Sequence, residues 1–383
     1  MNTPIDISNV VLKTERLILR PFRQSDLEDF FEYASVDGVG QMAGWIPHKN
    51  REESQMILDS FVNHKKTFAL EYQGKVIGSL GVELYNENNF PEFADKQCRE
   101  IGYVLAKDYW GRGLMPEAVK EVIRYLFEDV KLDIILCGHF LRNGQSARVQ
   151  EKCGFRHYAY GTYETRYGTI EDDETNIITR WQWLMDINRF RWTREPKDCV
   201  IENGVIKVIT MPHTDLWQRT YYHFRNDNAP VFQMETDEQY FSFIVKTSFE
   251  ESHQRFDQCG IVMYLDSENW LKGSIEYENE KFQHLGSVVT NHGYSDWATT
   301  EIPADMKSMW YRLSRREDDY CIECSEDGIR FKQMRVAHMH EGKGKIRFGI
   351  YACSPEDSSF TAVFSDMKIT ECAWKAHDGQ QPD

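Results

Sequence analysis

Gly111 and Gly113 stand one residue apart in the stretch EIGYVLAKDYWGRGLMPEAV, residues 100–119. The stretch opens as a buried strand and closes as the start of a helix. A strand that hands over to a helix leaves the first helical N–H groups without acceptors, at the positive end of the helix dipole. Those groups make an anion site suited to phosphate. Glycine removes the Cβ that would hold a phosphate off the backbone, and Arg112 adds a positive charge. The same glycines would also serve a plain tight turn, so the pair gains meaning only from its surroundings.

Those surroundings alternate strands and helices from residue 10 to about 185. RLILRPF (16–22), the two runs around Gln73-Gly74 (67–85), REIGYVLA (99–106) and DIILCGHF (133–140) read as strands. SDLEDFFEYAS (25–35) reads as a helix capped by Ser25 with Glu28 three residues on. REESQMILDSFVNHK (51–65), MPEAVKEVIRYLFEDV (115–130) with Pro116 in its first turn, and NGQSARVQEKCGF (143–155) stopped by Gly154 complete the helices. The pattern is α/β. From about Phe190 it gives way to short aromatic and β-branched runs between turn signals, among them GVIKVIT, WQRTYYHF, YFSFIVKTSF, NWLKGSIEY and IRFGIYAC. That texture predicts an all-β sandwich. The boundary is placed between 186 and 187, giving domains 1–186 and 187–383, directly abutted with no Gly/Ser-rich linker.

Three stretches in the first half, in order and at natural spacing, resemble the GNAT acyltransferase superfamily, in particular its ribosomal-protein N-acetyltransferase branch. They are TERLILRPFRQSDLEDFF, REIGYVLAKDYWGRGLMPEAV and NGQSARVQEKCGF, within residues 10–185. The resemblance implies acetyl-CoA as co-substrate and an amine acceptor, which could be a peptide, an amino sugar or a metabolite. It implies backbone contacts to the pantetheine arm from Val104 and Leu105 on the fourth strand. It implies a pyrophosphate cradle from Gly111, Arg112, Gly113 and Leu114, with Asn143 beside the pantetheine. Direct attack of an amine on a thioester needs a base for the amine, donors for the oxyanion and a proton for the thiolate. Glu100, at the head of the cofactor strand, is the candidate base, although a plain strand-end glutamate fits the same position. Ser146 is the candidate donor to the thiolate, although it could equally be a helix-surface or capping serine.

Two positions depart from the family pattern and support the alternative of a non-catalytic acyl-CoA sensor joined to a carbohydrate- or protein-binding module. Gln150 stands where many members carry an acidic tyrosine, and Asp108 stands three before the first glycine, where it must face away from a phosphate. The acceptor is poorly encoded. The loop LYNENNFPEFADKQC (84–98) offers Glu87, Glu92 and Asp95 to an amine, or is simply solvated.

The second half resembles the DUF1349 type of concanavalin A-like jelly roll over about 188–374, on FRWTREP, DLWQRTYYHFRNDNAP, the run from DQCGIVMYL to NHGYSDW, and YACSPEDSSFTAVFSD. That family name carries no activity. Trp217, Tyr222, Trp270 and Trp297 could stack on the rings of a glycan, or could be core and rim, and Glu276 is a further candidate for ligand binding. Glu276, Glu278 and Glu280 alternate and would share one strand face, as the paired carboxylates of a glycosidase do, but the last two read as solvated turn residues. Cys321 and Cys324 point to opposite faces of a strand. His338 and His340 could share a face but show no partner ligands in the sequence. No metal is expected, and Asp257 and Asp266 read as ladder-end residues.

The bulk numbers agree. Of 383 residues, 41% are apolar and 28% charged, enough for two packed cores. The net charge of −16 argues against a nucleic-acid partner. No signal peptide or membrane span is read, and nine scattered cysteines predict a reducing, cytoplasmic setting.

Overall fold

A computed structural model describes residues 1–375. The chain divides into two units, the first ending at Trp183 and the second beginning at Leu184.

The first unit is an eight-stranded sheet with helices on both faces. Its strands are β1 (Leu12–Lys13), β2 (Leu17–Pro21), β3 (Thr67–Tyr72), β4 (Lys75–Glu83), β5 (Cys98–Leu105), β6 (Ile134–Phe140), β7 (Arg156–Glu164) and β8 (Ile170–Thr179), in the order β1-β2-β3-β4-β5-β6-β8-β7. The helices are α1 (Leu27–Ala34), α2 (Arg51–His64), α3 (Leu114–Arg124) and α4 (Gly144–Lys152). The two-residue β1 makes the cofactor strand the fifth in order, not the fourth. Local chemistry sets the element ends. Gln73 and Gly74, both at positive φ (52° and 82°), close the β3–β4 hairpin. Asn50 caps α2 by accepting from the Glu53 N–H at 2.9 Å.

Two helix expectations are corrected. Ser25 is not the cap of α1, which starts at Leu27 after a 3-10 turn. The buried carboxylate of Asp26 takes hydrogen bonds from Arg20 (2.8 and 3.0 Å) and from the Arg23 N–H (2.8 Å), so this ion pair fixes the start. The helix expected over 115–130 is α for its first part and a π turn over Tyr125–Asp129.

Alternation along β5 assigns its two faces. Ile101 and Leu105 enter the core beneath α3, with Leu114, Val119 and Ile123. Val104 packs on the opposite face, in the cluster of Phe30, Tyr33 and Leu58 from α1 and α2.

The second unit is two seven-stranded antiparallel sheets. One orders β10 (Asp198–Glu202), β11 (Val205–Ile209), β24 (Thr361–Thr370), β15 (Tyr240–Ser248), β20 (Ser308–Arg316), β21 (Asp319–Ser325) and β22 (Lys332–His338). The other orders β19 (Tyr294–Pro303), β18 (Phe282–Asn291), β17 (Asn269–Tyr277), β16 (Gln258–Asp266), β23 (Ile346–Cys353), β14 (Val231–Thr236) and β9 (Arg191–Arg194). They pack face to face. Phe243 and Phe348 meet across the interior at 5.0 Å, and a Cβ on Gly273 would strike Ile322 at 2.7 Å. The expected strand WQRTYYHF is corrected. Only Leu216–Gln218 (β12) is extended, and it pairs with β13 (Arg225–Asp227). The link between them holds Arg219, Tyr221 and His223 at positive φ, so it is a tight loop.

Among the described residues no helix is long and apolar enough to cross a membrane, and the nine cysteines are free.

Candidate active site

β5 and β6 pair in parallel only at Cys98–Ile134, Arg99–Ile135 and Glu100–Leu136. Beyond Glu100 the strands part, although β5 runs to Leu105 and β6 to Phe140. A cavity of about 470 Å³ fills the opening. The parted edge of β5 offers backbone groups to an extended, amide-bearing arm, and Val104 and Leu105 line the cavity there.

Gly111, Gly113 and Leu114 line one end. Both glycines have φ of 75°, the left-handed region, and Gly113 is the N-cap of α3. A Cβ on Gly111 would meet nothing within 4 Å, so the backbone there is open to a ligand. The loop is braced from the β1–β2 hairpin. Glu117 on α3 accepts from Thr14 Oγ1 (2.5 Å), from the Arg16 N–H (2.9 Å) and from Arg16 Nε (2.7 Å), while Arg16 Nη1 donates to the Arg112 carbonyl at 3.0 Å. Burial works to raise the Glu117 pKa, but these hydrogen bonds outweigh it and hold the carboxyl below its ordinary value.

The side chain of Arg112 does not line the cavity. Its guanidinium lies over the Tyr109 ring at 5.1 Å, and Arg112 is not among the residues that line the cavity. The cations that do line the cavity are Arg148 and Lys152, one turn apart on α4, where they suit phosphate oxygens. Their i, i+4 spacing in ARVQEK was the available signal. Asp108 lies off the cavity, exposed. Asn143 lines the cavity as the cap of α4, accepting from the Ser146 N–H at 3.1 Å and donating to the Met42 carbonyl at 3.2 Å.

Glu100 sits where the strands part. Burial, then the charges of Asp173 and Glu83, push its carboxyl up to about 7. Ser146 lies in the same opening but on the α3–α4 face. Its Oγ is 3.0 Å from the hydroxyl of Tyr103, and Gln150 Nε2 donates to it at 3.3 Å. Gln150 is buried and also spans the Gly138 carbonyl (3.2 Å) and Asn176 (2.7 Å). Its role is to hold Ser146 in place. Tyr103 was missed in the sequence because strand tyrosines are common. Burial keeps its hydroxyl well above the usual tyrosine range, so it stays protonated. The acids expected from the loop 84–98 are engaged elsewhere. Glu92 accepts from Tyr158, Glu87 from the Asn2 N–H at 2.7 Å, and Asp95 pairs with Lys96 at 3.7 Å. Glu83 and Asp173 line the cavity instead.

In the second unit Trp270 is fully buried, which removes it from any stacking surface. Trp217 and Tyr222 stack at 6.0 Å, and Trp217 meets Trp297 edge-on at 6.3 Å. Tyr222 and Trp297 are exposed, whereas Glu276 is buried and pushed up to about 7 by burial, against the charge of Lys272. Contrary to the sequence expectation, His338 has partners: Asp319 Oδ1 lies 2.8 Å from its Nδ1, with Asp318 beside them. Asp257 is a buried ladder-end anchor for Ser354 and Ser358.

Residues 16–156 match the family described as "Acetyltransferase (GNAT) domain", and residues 192–372 match "Protein of unknown function (DUF1349)". The chain is 29% identical over 195 residues to "Regulation of enolase protein 1" of Saccharomyces cerevisiae, covering 50% of this chain and 96% of that protein. It is 31% identical over 176 residues to "Uncharacterized N-acetyltransferase YoaA" of Bacillus subtilis, covering 42% of this chain and 96% of that one. A solved structure of a functionally unknown Saccharomyces cerevisiae protein aligns with a TM-score of 0.46 and 28% identity, over 49% of this chain and 98% of its own. With a relative of this identity matched over nearly its whole length, the chain belongs to the GNAT acetyltransferase family.

Proposed function

We propose that this protein transfers the acetyl group of acetyl-CoA to a primary amine. The carrying observation is the opening between β5 and β6, which has Glu100 on one face, the Tyr103–Ser146 hydroxyl pair on the other, and the glycine cradle at its end. In this reading Glu100 takes a proton from the amine, directly or through one water. The nitrogen attacks the thioester carbonyl, a C–N bond forms and the C–S bond breaks. The leaving thiolate receives its proton or hydrogen bond from Ser146, backed by Tyr103. The glycine cradle with Arg148 and Lys152 holds the phosphates.

We assign the transferase to residues 1–186 and a binding module to 187–383, the last eight of which lie outside the described residues. The cluster of exposed Tyr222 and Trp297 around half-buried Trp217, beside buried Glu276, supports a glycan or a protein segment as its ligand, and a glycan array tests the first. The free cysteines favour a reducing, cytoplasmic setting.

Titration calorimetry with acetyl-CoA on the wild type and on Gly113→Trp tests the reading, with thermal melts to confirm folding. Micromolar binding that the mutation abolishes supports it. No binding to the wild type overturns it, and the function would then lie in the sandwich.

A further inference from the structure

The cavity wall beside Glu100 is built of carboxylates and missing side chains. Glu83 and Glu100 are direct cross-strand partners, as are Gly81 and Gly102. On β6, Gly138 follows Leu136, the partner of Glu100, by two residues. On β8, Asp173 is the partner of Phe140, a further two along. All of these therefore share one face of the sheet, opposite the Tyr103–Ser146 pair. A Cβ on Gly138 would lie 3.5 Å from Glu100 Oε1 and 4.0 Å from Asp173 Oδ2, so both carboxylates flank the same bare stretch of backbone. A Cβ on Gly102 would meet nothing within 4 Å. The result is a short trough with no side chain on its floor and an acid at each end.

The charges cancel only in part, since His139 acts on Asp173 from beside it. Glu83 is engaged by Lys66. Asp173 Oδ1 is buried without a hydrogen-bond partner among the described residues; it lies on the Gly161 side, 2.9 Å from where a Cβ there would sit, while Oδ2 faces Gly138. His139, 8% exposed and also lining the cavity, likewise leaves Nδ1 without a partner. A buried acceptor atom left unpaired is costly unless a ligand satisfies it. Overhead, the turn Gly40–Gly44 is fastened to Asn143 through the Met42 carbonyl (3.2 Å) and to Arg142 through the Gln41 carbonyl (3.2 Å). The space beneath suits a slim chain better than a folded surface.

We propose that the acceptor is a linear aliphatic amine carrying a second cationic nitrogen, a diamine or polyamine, lying along Gly102 and Gly138. The reacting nitrogen meets Glu100 and the second ammonium pairs with Asp173. This rests on the acetyltransferase reading above. It adds a division of labour: one carboxylate removes a proton, and the other recognises charge.

The test follows thiol release from acetyl-CoA with 1,4-diaminobutane, a linear triamine, butylamine and an alanine-initiated peptide. Wild type, Asp173→Asn and Asp173→Glu are compared, each with calorimetry of acetyl-CoA alone. The expected result is a kcat/KM for the diamine or triamine at least about 10-fold above butylamine. Asp173→Asn should erase that preference through KM and move the kcat limb to lower pH, because it also removes a charge that raises Glu100, while acetyl-CoA affinity stays little changed; Asp173→Glu should retain part of the preference. Preference for butylamine or the peptide overturns the proposal and leaves the acetyltransferase reading intact. So does a preference for diamines that survives in Asp173→Asn. Binding of acetyl-CoA with no turnover of either polyamine also overturns it. Should Asp173→Asn fail to fold, Asp173→Glu and the wild-type acceptor ranking still decide.

Discussion

Glu100 and Tyr103 lie three residues apart on β5 and therefore face opposite sides of the sheet, one toward the trough and the other toward Ser146. The gap between β5 and β6 is where both reach a common centre. A base on one side and a donor on the other are what in-line passage from amine to thiolate requires. Glu100→Gln should therefore lower kcat by about 100-fold or more. In the wild type the rate should climb as pH rises through about 7, because Glu100 must lose its proton to act and burial holds that proton on. Steady-state rates from pH 5.5 to 9 check this. If Glu100→Gln kept the same limb, the base would be another group.

Ser146→Ala and Tyr103→Phe should each lower kcat by roughly 10-fold, and the double variant by little more than either single one, because the two hydroxyls form one hydrogen-bonded unit. Gln150→Leu should act in the same direction without touching the thioester, since it frees Ser146 Oγ. Single-turnover thiol release separates this from slow product departure.

Glu117→Ala should weaken acetyl-CoA binding about 10-fold and cost about 1–3 kcal/mol of stability, because Thr14, Arg16 and the cradle lose their shared anchor. Calorimetry and thermal melts read the two effects. Unchanged affinity would mean the glycine loop holds its shape alone.

Gly111→Ala should weaken acetyl-CoA binding with a stability loss of about 1 kcal/mol, from an L residue forced to a φ of 75°. Phosphate-free pantetheine should feel the change less than acetyl-CoA, and equal effects would place the phosphates elsewhere.

Glu276 carries a pH signature. Its carboxyl sits near 7 in the fold against an ordinary 4.5, so the folded state holds a proton the unfolded chain has lost between those values. Its contribution to stability is greatest below about 4.5 and falls as pH rises to about 7. Glu276→Gln should therefore raise Tm at pH 8, by about 1–3 kcal/mol in stability, and do little at pH 4.5. A melt series across pH decides it.

Much was legible in the sequence because it is local. The glycines announced the strand-to-helix turn, Asn143 announced a helix start, and the apolar run in REIGYVLA announced β5. The break between an α/β half and a strand-rich half is a change of period, which sequence records directly. The start of α1 was misread because the Arg20–Asp26 pair outbids Ser25. WQRTYYHF looked like a strand because its residues favour one, yet three positive φ values turn it back on itself.

What only the tertiary structure decided depends on register between distant strands. That β5 and β6 stop pairing at Glu100, that Asp173 arrives opposite Phe140, and that Tyr103 finds Ser146 are properties of segments far apart in sequence. The sequence by itself marked the glycine turn between β5 and α3, because a turn needs only its own few residues. The fold decided which carboxylates line the cavity, because burial and charge at one point are set by every strand that reaches it.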